Sequence, residues 1–84
     1  MSEAQGEVME RVVRILAPYA KNEEALATVN ADTAILDDLK VNSARLVDAV
    51  LSFEDEFDIE IADEDIDGVN TVGDAVRLIE AKIA

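Results

Sequence analysis

Eighty-four residues, half of them apolar, make a single small domain spanning 1–84: enough to fold around one thin core, too little for a deep, separately built cleft. The chain has no cysteine and no histidine, which excludes disulfides, thiolate nucleophiles and thiolate zinc sites and removes the usual general base. A net charge of −13 disfavours nucleic acid and anionic membranes, whose phosphates it would repel.

These exclusions point away from self-contained catalysis, so the chain is expected not to be an enzyme. No apolar run approaches a transmembrane span, and the first residues have neither a basic nor an apolar targeting segment, so a cytoplasmic monomer is expected. The charge is uneven: residues 37–67 hold twelve acids and two bases, a net of −10, while residues 1–36 carry −3. Such a field would steer a partner with a basic patch to the middle of the chain. A solvated acidic face kept for solubility accounts for it equally well.

In chain order, Met9, Val12, Val13, Leu16 and Tyr19 fall on one helical face, with a Ser2–Gln5 capping box ahead of them. Pro18 lacks a backbone donor and disfavours helix at Ala17, which ends or kinks the helix there. Residues 20–41 read as a long connection with some helical turns, pinned to the core by Leu26, Val29, Ile35, Leu36 and Leu39. Asn42 is a favourable N-cap for a second helix with Ser43 in its first turn. Its apolar stripe is Leu46, Val50, Phe53 and Phe57 with Val47 alongside; Arg45, Asp48, Ser52 and Asp55 lie opposite. Residues 58–62 alternate like a strand but have no partner strand, so they read as an extended connector. Ile66 and Val69 suggest a short helical piece, and Thr71 with Asp74 caps a last helix turning Val72, Val76, Ile79 and Ile83 inward. The expected fold is all-α, a small bundle of three main helices and one short one.

The run Asp38-Leu39-Lys40-Val41-Asn42-Ser43-Ala44, followed by Phe53-Glu54-Asp55-Glu56-Phe57-Asp58-Ile59-Glu60-Ile61, resembles the acyl carrier proteins of fatty-acid and polyketide synthesis. Asp32-Thr33, Leu36-Asp37-Asp38-Leu39 and Asn70-Thr71-Val72-Gly73-Asp74-Ala75-Val76 extend the likeness over nearly the whole chain. On the residues alone Ser43 is an ordinary first-turn serine. The resemblance implies that it bears a covalent 4′-phosphopantetheine arm whose thiol carries cargo as a thioester. A helix N-terminus suits that arm's phosphodiester, since unpaired N–H groups and the dipole favour an anion by about 0.3–1 kcal/mol. The same arm would take fatty acyl, polyketide, aryl or aminoacyl groups. Ala49 and Ala75 are small enough to line a cargo pocket or simply to let helices pack closely.

The resemblance also implies partners: a phosphopantetheinyl transferase, and acyl-transferring and acyl-modifying enzymes with basic docking patches. The matching docking face comprises Asn42, Ala44, Asp48, Leu51, Glu54 and Asp55. The family usually has Gly-x-Asp-Ser-Leu at the serine. Lys40, Asn42 and Ala44 stand at those Gly, Asp and Leu positions, and Arg45 follows where an acid is frequent. A specialised carrier with a dedicated transferase is expected from these departures.

Two other readings belong to different classes. Asp63, Asp65, Asp67, Gly68 and Asp74 fit an EF-hand loop at positions one, three, five, six and twelve, with Asp replacing the usual final Glu. That would make the chain a calcium-binding module. The third reading is an acidic docking scaffold of carrier-like fold that is never modified.

Overall fold

The computed structural model of the protein describes residues 3–83. Helix α1 runs Glu3–Leu16 and passes into a 3-10 turn, Ala17–Tyr19; α2 is Glu23–Ala27, α3 Ser43–Phe57, α4 Asp63–Asp67 and α5 Val72–Ile83. The long helices α1, α3 and α5 pack on one another in all three pairings, with α1 against α5 the most extensive. The expected capping box of Ser2 with Gln5 lies outside the described residues.

Each long helix buries one stripe. In α1 the stripe is Val8, Val12 and Leu16, one residue every turn, so Met9 and Val13 stand at its margin and are only partly buried. In α3 it is Leu46, Ala49, Val50 and Phe53, and in α5 Val72, Ala75, Val76 and Ile79. Fully burying a side chain such as Phe53, Leu16 or Ile79 contributes about 1.5–3 kcal/mol. Ala49 and Ala75 are closed inside this core.

Three apolar residues fall outside the expected pattern, and a fourth, Phe57, packs at the edge of the core. Val47 is 48% exposed, because it follows Leu46 by one position and is rotated off the buried sector. Ile83 is 52% exposed at the last residue of α5, where no further turn covers it. Leu36 is 39% exposed on the connection, while its neighbour Ile35 is fully buried. Phe57 is partly buried, under the Arg11 guanidinium at 4.8 Å from the ring centre. Arg11 also meets Glu56 at 2.6 Å, tying α1 to the end of α3.

The connection before α3 is pinned twice. Ile35 and Leu39 enter the core with no exposure, and its backbone pairs with the start of α5. Ile35 N–H donates to Asn70 O (3.0 Å), Val72 N–H to Thr33 O (2.9 Å) and Gly73 N–H to Ala31 O (2.9 Å). Ala34 and Thr71 form an isolated antiparallel bridge. Gly73 is required here: a Cβ at that position would lie 2.8 Å from Ala31 O. Asp38 folds the turn back on itself, its carboxylate accepting from Ala34 N–H at 2.9 Å.

Helix ends obey the local chemistry. Asn22 caps α2 through Ala25 N–H. Thr71 and Asp74 cap α5 reciprocally, Asp74 N–H donating to Thr71 Oγ1 and Thr71 N–H to Asp74 Oδ2, both at 3.1 Å. The segment between α3 and α4 is extended, and Glu54 holds it: its backbone oxygen accepts from Asp58 and Ile59, and its carboxylate from Ile61 N–H at 2.7 Å.

Candidate functional site

Ser43 is the first residue of α3 and is exposed. Asn42 ends the extended lead-in with φ −66° and ψ 143°, its side chain accepts from Ala44 N–H at 2.9 Å, and its carbonyl accepts from Leu46 N–H. Helix geometry leaves the other first-turn amides, on Ser43 and Arg45, without partners inside the helix. A fifteen-residue helix thus presents its positive end beside an accessible hydroxyl. A phosphodiester on Ser43 fits that arrangement, since its oxygens would lie next to N–H donors and the dipole end.

The lead-in fixes where that hydroxyl stands. Leu39 and Val41 are buried on either side of Lys40, and Val41 N–H donates to Ile35 O at 3.2 Å. Leu39 O accepts from both Lys21 and Asn22 N–H. Between the two buried residues the chain must turn sharply, and Lys40 does so with φ 59°. That is a left-handed conformation suited to glycine.

The residues expected to dock partners divide in two. Ala44, Asp48, Leu51 and Asp55 follow one another at i, i+4, i+7 and i+11, forming a strip on the solvent side of α3, with Val47 beside it. Leu51 is 58% exposed, the most exposed of the large apolar side chains among the described residues. Asn42 is exposed at the head of this strip. Glu54 lies off the strip and is half-buried, its carboxylate committed to Ile61.

Two carboxylates of the calcium-loop reading, Asp65 and Asp74, already have partners within the chain. Residues 63–67 are helix α4 rather than a loop, so Asp63, Asp65 and Asp67 do not converge. Asp65 accepts from Ala62 N–H and pairs with Lys82 at 3.0 Å. Asp74 accepts from Asn70 and Thr71 and pairs with Arg77. These partners hold both acids below the usual carboxylate range: for Asp65 chiefly the Lys82 hydrogen bond, for Asp74 chiefly the two backbone amides. Among the described residues no group of three or more acids is gathered as a metal site would need.

An open polar groove of about 550 Å³ flanks the lead-in, lined by Asn22, Thr28, Asn30, Asp32, Asp38 and Lys40 among others. No helix among the described residues is long and apolar enough to cross a membrane.

Comparison with known proteins agrees with the geometry. Residues 10–79 match the family described as phosphopantetheine attachment site. The acyl carrier protein of Prochlorococcus marinus (strain MIT 9515) is 39% identical over 79 residues, covering 94% of this chain and 96% of that one. A solved structure of the acyl carrier protein from Enterococcus faecalis superposes with a TM-score of 0.76 at 35% identity, covering 93% of this chain and 96% of that one. The chain belongs to the acyl carrier protein family. Its role is that of a carrier with a covalently attached 4′-phosphopantetheine, whose thiol supplies the thioester chemistry that a chain without cysteine lacks.

Proposed function

We propose that Ser43 is the attachment point, and that the chain shuttles acyl thioesters between enzymes of fatty-acid, polyketide or related biosynthesis. One observation carries this reading: the only serine at a helix start among the described residues is exposed, follows an Asn cap, and opens the helix that bears the exposed strip. In the loading step the Ser43 Oγ–P bond forms at the pantetheine-side phosphorus of coenzyme A. The pyrophosphate P–O bond breaks, adenosine bisphosphate leaves, and the hydroxyl proton goes to a base on the transferase. The chain itself supplies the nucleophile and the N–H groups that receive the phosphodiester, and it is a substrate rather than an enzyme.

The carrier works in the cytoplasm as a monomer. Enzymes meet it on Asn42, Ala44, Asp48, Leu51 and Asp55, with cations facing the acidic C-terminal half of α3. Exposed ion pairs contribute only about 0–1 kcal/mol each, so docking is brief, as a shuttle requires.

The test is intact mass after incubation with coenzyme A, magnesium and a broad-specificity phosphopantetheinyl transferase. One phosphopantetheine increment, absent from Ser43→Ala, is expected. An increment retained in that variant, or none with several transferases, would remove the assignment.

A further inference from the structure

The two cations nearest Ser43 in sequence stand where local backbone preferences disfavour them. Lys40 and Arg45 are the only Lys or Arg between residues 22 and 76. Lys40 takes the left-handed conformation that glycine adopts more easily. Arg45 stands in the first turn of α3, the positive end of the dipole, while Glu54, Asp55 and Glu56 crowd the negative end. A helix optimised for stability carries the opposite arrangement, acids first and bases last. Where local rules are broken for no more than an exposed ion pair, function is the usual reason.

The charges make α3 dipolar. Residues 40–48 carry a net +1 and residues 49–58 a net −4, in a chain of −13. Arg45 does not serve a phosphate on Ser43, because residues two apart on a helix point to different sides. Its guanidinium reaches down the helix to Asp48 at 3.3 Å, with the Arg45 side chain 64% exposed. That pairing also offsets one of the strip's two acids. The surface offered to a visitor is thus positive on the Arg45 edge, apolar at Ala44, Val47 and Leu51, and negative at Asp55.

We infer that Arg45 is a specificity determinant: the enzymes acting on this carrier present a carboxylate opposite Arg45 and cations opposite Asp55, and a wholly basic docking patch is turned away. This rests on Ser43 being the attachment point. Like charges brought together at an interface weaken docking and slow encounter, and both effects fade with salt.

The experiment compares the full chain with Arg45→Asp, Arg45→Lys and Ser43→Ala as substrates of a phosphopantetheinyl transferase whose docking patch is wholly basic. Initial rates are followed by intact mass with coenzyme A and magnesium, at about 50 mM and about 500 mM NaCl. Arg45→Asp is expected to raise kcat/KM about tenfold at low salt, through KM, with the gain shrinking at high salt. Arg45→Lys, which keeps the charge, keeps the wild-type rate. A transferase variant in which the base facing Arg45 is replaced by Glu should reverse the preference. Equal rates for wild type and Arg45→Asp, or a gain identical at both salts, would overturn the inference while leaving Ser43 in place. Modification of Ser43→Ala overturns the attachment reading instead, and no increment on any variant overturns both.

Discussion

The Ile61 amide donates to the Glu54 carboxylate across 2.7 Å, so an acid within the expected docking helix is the strut of the segment that follows it. Its neighbour Asp55 is exposed on the strip. The two should separate on substitution. Glu54→Ala leaves the Ile61 amide without its charged acceptor and is expected to cost about 1–2 kcal/mol in urea unfolding. Asp55→Ala should stay within about 0.5 kcal/mol and affect only encounters with partners.

Lys40 predicts a stabilising substitution. Holding a non-glycine residue left-handed costs about 1–2 kcal/mol, while glycine returns about 0.5–1 kcal/mol through its freer unfolded chain. Lys40→Gly should therefore stabilise by about 0.5–1 kcal/mol, seen as a raised urea midpoint at unchanged slope. Asp58 caps α3 at φ 56°, but aspartate tolerates this conformation better, so Asp58→Gly should gain less.

The glycines of α1 and α5 should respond with opposite signs to the same change. Gly6 in α1 has nothing within 4 Å of an added Cβ, so Gly6→Ala should stabilise by about 0.8–1 kcal/mol through helix propensity alone. Gly73→Ala would drive a Cβ to 2.8 Å from Ala31 O and 3.0 Å from Ala31 Cβ. Overpacking of that kind costs about 1–3 kcal/mol. Thermal melts of the two variants should move apart.

Acid should remove two ties. Asp74 and Asp65 have folded values lowered from 3.8, so their contributions are complete above that value and are lost as pH falls through the lower folded ones. Stability should drop below about pH 4 partly through these groups. Asp74→Asn should lower stability at pH 7 and make the fall below pH 4 shallower, checked by melts across pH 2–7.

The Asn42 cap, the Thr71–Asp74 box and the short helix near Ile66 were legible because each is written within four residues or in a simple period. Ser43 stood out through the pattern around it. The breadth of the buried stripes was less legible: Val8 went unnoticed, and Val47, Leu36 and Ile83 turned outward although their spacing suggested cover. Periodicity fixes a direction, but only packing against α1 and α5 decides how wide the buried sector is. The pairings of Ala31 with Gly73 and Ile35 with Asn70 join residues more than thirty apart and leave no local signal. Nothing in the local sequence around Glu54 signals that the bend after Asp58 brings the Ile61 amide to its carboxylate. Lys40 was visible as a departure from glycine, yet only the backbone angle shows that the departure concerns conformation as well as surface charge.

The lattice between residues 31–35 and 70–73 sets how this chain can be recombined. The outward strip of α3 is largely exposed, so its residues could be exchanged for those of another carrier as a surface graft. The last helix is different, because its first turn is cut to fit the backbone at Ala31 and Thr33. A chimera importing a foreign last helix would have to import the matching stretch of the connection with it, forty residues upstream, or rebuild both at the seam.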